Sequence, residues 1–425
     1  MNELAYKIED VDPVASGAAA ESFIAPLPRI SIQCFCETGD TANSLQTMAE
    51  DRRLARAHVS VQTGGIDAAL NFYQGAPTPN LLLLELTEGP EEIIRDLARL
   101  AETCDSGTKV VIIGHVNDVL LYRELVQQGV SEYLVAPVSA MDVIRAISGL
   151  YGDPEAKPVG RTLAFVGAKG GAGSSTVAHN TAWVIANTFA TDVIIADLDL
   201  PFGTAALDFN QDPAMGVADA VYAPDRLDDV LLDRLLAKCT DNLSLFAAPG
   251  NLNREYDLEA NAYDRILDIV RAGVPAVILD LPHQWNGWVK NILLSADEIV
   301  VTAEPNLANL RNAKNLFELL KQGRPNDQPP HIVLNQVGMP KRPEISPKDF
   351  CDALHTTPVA MIGFDPQLFG TAANNGQMIQ EMAANAKPNE AFVEIAKVLT
   401  GRAEVRRKRP SLLGPLMGKL TGKKS

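Results

Sequence analysis

The stretch Phe165–Asn180, FVGAKGGAGSSTVAHN, groups glycines, hydroxyl side chains and one lysine closely enough to act on a single phosphorylated ligand. A phosphate-binding loop of pattern G-x-x-x-x-G-K-[ST] needs a lysine after its last glycine, and Ser174 stands at that position. Three glycines, Gly170, Gly171 and Gly173, let the backbone approach phosphate oxygens. The first amides of a helix that begins near Ser174 add unpaired N–H donors and the helix dipole. Because these donors do not depend on residue 174, we expect phosphate binding to persist.

The hydroxyl residues after the glycines complete the expected site. Ser175 is positioned to ligate magnesium, and Thr176 is positioned to bond a phosphate oxygen. The first glycine of the pattern is Ala168, which costs some backbone freedom but no charge. The ammonium missing at Ser174 would have made charge-assisted contacts worth about 1.5–3 kcal/mol each. We therefore expect weakened nucleotide binding and, since phosphoryl transfer depends on positioned positive charge, slow hydrolysis.

The elements that must position this loop follow an α/β alternation in two blocks. The expected strands are Ile30–Phe35, Asn80–Leu86, Lys109–Ile113 and Glu132–Val135, then Thr162–Val166, Val193–Asp197, Leu243–Ala247, Ala276–Asp280, Glu298–Ala303, His331–Asn335 and Val359–Ile362. Helices are expected over Glu91–Cys104 and from near Ser174, Asp264, Asn309 and Asn389. This alternation predicts two doubly wound parallel-sheet domains. The expected divisions are a flexible leader (1–28), a first domain (29–150), a polar linker (151–160), a second domain (161–400) and a basic tail (401–425).

The first domain resembles the response-regulator receiver fold in the order and spacing of its strands, but the chemistry of that fold is absent. The phosphoryl-accepting aspartate is replaced by Glu85, the switch hydroxyl by Gly114 and the lysine of the usual Lys-Pro pair by Ala136. At most one carboxylate remains at Phe35–Glu37. The sequence therefore predicts no phosphotransfer and a docking or dimerisation role. Glu85 either mimics a permanently charged state or is a solvated carboxylate at the end of a strand.

The second domain resembles the ParA/MinD family of ATPases, in which the stretch KGGAGSST corresponds to the deviant Walker A motif. IIADLDLPFG resembles the segment after the second strand of that family, and AVILDLP resembles its Walker B strand. VVTAEPNLANLRNAKNL, HIVLNQVG and FDPQLFGTAANNGQMI match later strands and the closing proline-containing loop. The resemblance covers most of residues 161 to 400 and implies a receiver-like (flavodoxin-like) fold followed by a ParA/MinD-type P-loop NTPase fold.

The resemblance also implies a role for each matching residue, with ATP and Mg²⁺ as cofactors. Lys169 would bind the phosphate of a partner subunit, Asp199 would orient the attacking water, and Asp280 would hold the water shell of magnesium. Asp197 would support the metal or the switch segment; alternatively, it bonds only loop amides. The remaining candidates are the phosphate-binding residues Gly170, Gly171, Gly173, Ser174, Ser175 and Thr176, with Ser175 also a metal ligand, and the adenine-side residues Asn335 and Pro366. His283 and Trp285 stay unassigned.

Composition and charge further narrow the classes of function that the chain could have. The chain is 46% hydrophobic and 21% charged, which is typical of a soluble globular protein, and its five cysteines show no metal-binding or disulfide spacing. Neither a signal peptide nor a membrane-spanning run is present in the sequence, so a cytoplasmic location is expected. The tail carries eight Lys and Arg against one Glu, so the net charge of −16 divides into +7 and −23. The acidic body disfavours nucleic acid as a partner, and the tail either contacts anionic membrane or is only a solubilising segment.

A receiver-like domain ahead of a ParA/MinD-like domain that lacks the loop lysine resembles the CpaE/TadZ group of Flp (tight adherence) pilus assembly proteins. This resemblance implies an ATP-binding positioning factor that forms a homodimer through its ATPase domain, contacts pilus or secretion assembly proteins and associates peripherally with the inner face of the cytoplasmic membrane. Two alternatives stay open: a MinD-like ATPase that cycles on the membrane, and a pseudo-ATPase scaffold that binds no nucleotide. An iron–sulfur reductase is excluded because no suitably placed cysteines follow the switch segments.

Overall fold

The computed structural model describes residues 24, 26–105, 107–151, 159–252 and 254–402. Most of the expected leader, most of the linker and all of the basic tail beyond Arg402 lie outside the described residues. Within the described ranges, no helix combines the length and apolarity needed to cross a bilayer.

The first sheet is fully parallel and has the strand order β2-β1-β3-β4-β5, the order of flavodoxin-like folds. Its central strand, LLLLEL, is buried at every position, as expected of a strand covered on both faces. The strands are β1 (Ser31–Cys36), β2 (His58–Thr63), β3 (Leu81–Leu86), β4 (Lys109–Gly114) and β5 (Glu132–Val135). The helices are α1 (Gly39–Ala49), α2 (Gly65–Tyr73), α3 (Pro90–Ala101), α4 (Val119–Gln127) and α5 (Ala140–Tyr151), with a 3₁₀ helix at Arg52–Leu54.

The second sheet has eight strands in the order β13-β12-β11-β6-β10-β7-β9-β8, and only β8 runs antiparallel. The strands are β6 (Arg161–Gly167), β7 (Val193–Asp197), β8 (Ala237–Lys238), β9 (Leu243–Phe246), β10 (Ala276–Asp280), β11 (Glu298–Ala303), β12 (His331–Val337) and β13 (Pro358–Gly363). Separate apolar clusters pack on its two faces, so helices cover both sides.

The helices of the second unit alternate with these strands. They are α6 (Ser174–Asn187), α7 (Ala205–Asp208), α8 (Val217–Tyr222), α9 (Asp229–Leu235), α10 (Asp264–Gly273), α11 (Gly287–Ser295), α12 (Leu307–Gly323), α13 (Pro347–Leu354), α14 (Pro366–Asn375), α15 (Ile379–Met382) and α16 (Pro388–Leu399), with a 3₁₀ helix at Pro224–Arg226. The predicted fold of two doubly wound, mainly parallel sheets is therefore confirmed.

Two strands were not predicted from the sequence. Strand β2, HVSVQT, lies at the edge of the first sheet and has no fully buried residue, so its apolar signal is weak. Strand β8 spans only two residues and pairs with β9. Both are edge strands, where burial imposes the least pattern on a sequence.

An ionic cluster joins the two units through the amino-terminal edges of both sheets. Arg52 and Arg53, which lie between α1 and β2, contact Asp327 at 2.8 and 2.6 Å. Arg52 also lies 3.2 Å from Asp297, the residue before β11. Arg324, at the end of α12, lies 2.7 Å from the same Asp327 carboxylate. Burial alone would raise the pKa of Asp327, but the three guanidinium groups lower it to about 2.

Candidate nucleotide site

The candidate phosphate loop connects β6 to α6 at the centre of the second sheet. Strand β6 lies between β10 and β11, and all three run parallel, so their carboxyl ends meet at one edge. In open α/β sheets, ligands bind in the crevice at this edge. Helix α6 begins at Ser174, as predicted, with Gly173 as its N-cap.

Two glycines of the loop adopt left-handed backbone conformations. Gly171 has φ 84° and Gly173 has φ 86°. A side chain at Gly173 would also be blocked, because an added Cβ would lie 2.4 Å from Asn335 Nδ2. Glycine is therefore required at position 173 for both conformational and steric reasons.

The carbonyl groups of the loop are held by protein groups outside it. Asn312 Nδ2 donates to the Ala168 carbonyl at 2.9 Å, Asn335 Nδ2 donates to that of Ala172 at 2.8 Å, and Gln336 Nε2 donates to that of Gly171 at 3.0 Å. Within the described chain, the N–H groups of Gly170, Gly171, Gly173 and Ser174 have no protein acceptor. Consecutive free amides at a helix start form an anion-binding concavity.

The side chains of the loop divide into exposed and partly covered groups. Lys169 is exposed and forms no ion pair within the ranges that the structure describes. Ser174, Ser175 and Thr176 are partly buried, and Ser174 Oγ is inaccessible with no hydrogen-bond partner among the described residues. The first helical turn thus directs hydroxyl groups, rather than an ammonium group, toward the loop.

Two aspartates end neighbouring strands beside the loop. Asp197 at the end of β7 is in register with Asp280 at the end of β10, and both are buried. Burial and the charge of Asp280 raise the pKa of Asp197 to about 7. Two carboxylates on neighbouring strands in register would stabilise a cation bound between them.

The oxygens of the two aspartates have different partners. Asp197 Oδ1 accepts the N–H of Asp199 at 3.2 Å, and Oδ2 accepts that of Ala205 at 3.1 Å. An added Cβ at Gly203 would lie 2.4 Å from Asp197 Oδ2, so the segment folds tightly around this carboxylate. Both Asp197 oxygens therefore accept from backbone amides of the segment after β7. Asp280 Oδ1, by contrast, is buried without a hydrogen-bond partner among the described residues.

The unpartnered Asp280 oxygen tests whether magnesium fits here. In nucleotide sites, magnesium is held by one or two carboxylates, a hydroxyl, waters and the phosphates themselves, rather than by a cage of protein ligands. The described residues contain no group of three or more His, Cys, Asp or Glu that could hold a metal alone. The orphaned buried oxygen of Asp280, on the strand paired with β6, and the hydroxyl of Ser175 in the first turn of α6 are hard oxygen donors of the kind that magnesium requires.

Three further predicted residues lie at the same edge of the sheet. Asp199 follows β7, accepts the N–H of Phe202 at 3.2 Å, and has its pKa raised by burial. Asn335 is the last residue of the strand predicted at His331–Asn335, and its Nδ2 donates to the Ala172 carbonyl of the loop. Pro366 is exposed in the first turn of α14, just past β13, with Asp365 as the N-cap. The site residues predicted from the sequence thus converge on one edge.

His179 is a site residue that the sequence did not single out. It lies in α6, is fully buried, and places Nδ1 2.8 Å from Asp208 Oδ2 and Nε2 3.2 Å from Asp280 Oδ2. Burial alone would lower its pKa, but contacts with Asp208 and Asp280 raise the pKa to about 10. The sequence offers only one histidine on a buried helix face, a pattern shared with ordinary core histidines.

The receiver-like unit has a second polar cluster, centred on Glu85 at the end of β3. This carboxylate accepts the N–H groups of Glu37 and Thr38 at 2.7 and 2.8 Å and the hydroxyls of Thr38 and Thr41 at 2.7 and 2.6 Å. His115 Nε2 lies 3.0 Å from the same group. Burial alone would raise the pKa of Glu85, but these hydrogen bonds lower it to about 2. The alternative of a solvated carboxylate is wrong, because Glu85 is fully buried.

Comparisons with known proteins agree with both parts of this architecture. A pilus assembly protein CpaE from Caulobacter crescentus has a crystal structure that is 45% identical to this chain; the match covers 31% of this chain and all of that one, with a TM-score of 0.30. The chain belongs to the CpaE family of pilus assembly proteins. The sequence identity, rather than the superposition, supports this assignment, and the matched share is the size of one domain. No family model matches the chain.

Other relatives correspond to a larger part of the chain. A ParA family ATPase from Chlorobium tepidum is 24% identical and covers 56% of this chain and 98% of its own, with a TM-score of 0.50, which shows a common fold. The septum site-determining protein MinD from Synechocystis is 24% identical over 254 residues, which are 57% of this chain and 90% of that protein. The second unit therefore has the ParA/MinD-type P-loop fold that the sequence predicted.

Proposed function

We propose that this protein binds ATP with Mg²⁺ at the loop after β6 and acts as a nucleotide-dependent positioning factor for pilus or secretion assembly. The observation that supports the nucleotide site best is the division of hydrogen bonds in the loop: three of its carbonyls accept from Asn312, Asn335 and Gln336, while four of its amides have no acceptor among the described residues. A loop held in this way presents free N–H donors, which suit a polyanion.

The residues of the site take the following roles in this proposal. The free amides and Thr176 hold the phosphates, Ser175 and Asp280 hold magnesium with its waters, and Asn335 and Pro366 border the adenine. Asp199 orients the attacking water, and Asp197 holds the switch segment that carries it. Bound magnesium would supply positive charge at the β- and γ-phosphates.

Slow hydrolysis and dimerisation follow from the cations available. The first turn of α6 lacks a lysine, and the exposed ammonium of Lys169 has no partner within the described part of this subunit. In a homodimer formed across this edge, Lys169 reaches the nucleotide of the second copy. Nucleotide then acts mainly to stabilise the dimer and is hydrolysed slowly. The transition state of hydrolysis receives less positive charge here than in a loop with both lysines.

The role in assembly rests on the family to which the chain belongs. The Caulobacter relative is a pilus assembly protein. We propose that the receiver-like unit docks assembly partners, that nucleic acid is not a partner of the acidic body, and that the protein works at the cytoplasmic face of the membrane. The basic tail, which lies outside the described residues, would supply contact with anionic lipid.

Equilibrium binding of Mg·ATP to the full chain tests the proposal, with Asp280→Ala as the matched variant. We expect the parent to bind ATP and to shift toward dimer in light scattering, and Asp280→Ala to lose magnesium-dependent affinity. Steady-state hydrolysis with and without anionic vesicles separates the alternatives. Fast, vesicle-stimulated turnover would indicate a membrane-cycling ATPase, and no binding at millimolar ATP would indicate a pseudo-ATPase scaffold.

A further inference from the structure

His283 lies in the loop after β10, directly beside the phosphate loop. Strands β10 and β6 are paired, and Leu281 N–H donates to the Phe165 carbonyl at 3.0 Å, so the chain leaving β10 stays next to the chain leaving β6. His283 Nδ1 then lies 2.9 Å from the Gly167 carbonyl oxygen, at the start of the phosphate loop.

This contact determines which nitrogen of the His283 ring can bind a ligand. A carbonyl oxygen only accepts hydrogen bonds, so Nδ1 carries a proton and Nε2 is the free nitrogen of the ring. The edge of the ring that contains Cδ2, the carbon bonded to Nε2, faces Gly170: an added Cβ on that glycine would lie 3.8 Å from Cδ2. His283 is exposed, and Nε2 has no partner among the residues that the structure describes.

The surroundings of Nε2 favour an anion. The ring edge lies against one of the glycines whose N–H is free, and Lys169 of the same loop is the neighbouring cation. We propose that His283 binds the phosphate chain through Nε2 and partly replaces the lysine missing at position 174, an inference that rests on the proposed nucleotide site. A ring that carries a proton on Nε2 as well as on Nδ1 would donate a charge-assisted hydrogen bond to a phosphate oxygen.

If His283 only supported the loop, Nδ1 alone would matter. Substitution by the two amide residues, Asn and Gln, separates this structural role from phosphate binding through Nε2. In His283→Asn, the side-chain amide takes the place of Nδ1 and can still donate to Gly167, but nothing remains at the Nε2 position. In His283→Gln, the longer side chain places a neutral donor near the Nε2 position. His58→Asn is the matched control, because His58 is an exposed histidine in the other unit.

The test is the Mg·ATP dissociation constant of the full chain, measured by calorimetry for the parent and these variants after circular dichroism has shown that each is folded. We expect His283→Asn to weaken ATP binding by about tenfold to a hundredfold, His283→Gln to weaken it less, and His58→Asn to leave it unchanged. AMP affinity should be the same in the parent and in His283→Asn, since AMP lacks the β- and γ-phosphates.

A second background strengthens the test. In Ser174→Lys, where the lysine is restored, His283→Asn should cost several-fold less affinity than in the parent. A parent that binds ATP with a His283→Asn variant within about twofold of it would overturn the role of His283 and leave the proposed function standing. A loss in His283→Asn no larger than that in His283→Gln would also overturn it. A parent that binds no ATP would overturn both.

Discussion

His179 Nε2 lies 3.2 Å from Asp280 Oδ2, so the carboxylate at the end of β10 meets a fully buried imidazole behind the phosphate loop. Asp208 contacts the other ring nitrogen at 2.8 Å, and Asp197 is the register partner of Asp280. Two carboxylates thus contact one buried imidazole, and a third carboxylate ends the neighbouring strand. An imidazolium charge on His179 would stabilise these buried carboxylates, and the Asp280 Oδ1 atom, which has no partner among the described residues, is the one available to magnesium.

Replacement of His179 should destabilise the protein. His179→Gln keeps much of the volume but removes the charge, so buried carboxylates lose their counter-ion. We expect a loss of about 3–5 kcal/mol in the free energy of unfolding, measured in urea without magnesium. Magnesium should recover part of the loss, since it supplies positive charge at Asp280. An unchanged free energy of unfolding would mean that the imidazole is neutral in the fold.

The stabilisation by His179 should depend on pH in one direction. Its pKa rises from 6.5 to about 10 on folding, so the folded protein binds the proton more tightly than the unfolded chain. The contribution is complete below about pH 6.5 and declines as pH rises toward 10. The difference in unfolding free energy between the parent and His179→Gln should therefore shrink from neutral to alkaline pH. A difference that grows with pH would contradict the assignment.

Restoring lysine at position 174 should accelerate hydrolysis. One charge-assisted contact to the transferred phosphoryl group is worth about 1.5–3 kcal/mol, which corresponds to a rate increase of roughly tenfold to a hundredfold in Ser174→Lys. Single-turnover hydrolysis of Mg·ATP measures the step directly. Ser174→Ala serves as the control and should behave like the parent. A Ser174→Lys variant no faster than the parent would show that the missing ammonium does not limit turnover.

Glu85 should stabilise the receiver-like unit against acid. Its folded pKa is about 2, below the ordinary 4.5, so its contribution is present above about pH 4.5 and is lost as pH falls toward 2. Glu85→Gln removes the charge that four hydroxyl and amide groups solvate and should cost about 2–3 kcal/mol at neutral pH. Urea unfolding at several pH values checks this. The two proteins should converge near pH 2; a constant gap would assign the effect to packing.

Asp327 should hold the two units together more strongly than any exposed pair between them. Asp327→Ala leaves Arg52, Arg53 and Arg324 without their shared carboxylate, and we expect a loss of about 3–5 kcal/mol in unfolding free energy. The matched control is Asp268→Ala, which removes the exposed ion pair with Arg56 and should cost less than about 1 kcal/mol. Equal losses in the two variants would contradict a central role for Asp327.

The sequence predicted most of the fold because buried strands carry strong signals. Runs such as LLLLEL and AVILD are apolar at every position but one, and Val193–Asp197, Ala276–Asp280 and Glu298–Ala303 were predicted with their observed bounds. The motif residues also converge, since strand ends in a parallel sheet share an edge. Strand β2 was missed because an edge strand need not be apolar.

The contacts that define the site's electrostatics could not be predicted. His179 and Asp208 are 29 residues apart, and the tie between Gln336 and Gly171 spans 165 residues. The cluster around Asp327 joins residues more than 270 positions apart. Pairs of this kind depend on tertiary packing, and nothing in the local pattern around Arg52 or His179 indicates which carboxylate will lie beside it.

The ionic cluster at Asp327 joins the amino-terminal edge of the first sheet to the amino-terminal edge of the second. Glu85 and the phosphate loop lie at the carboxyl ends of their strands, so each lies at the edge of its sheet opposite to this junction. A molecule bound near Glu85 and one bound at the phosphate loop would therefore not compete for space.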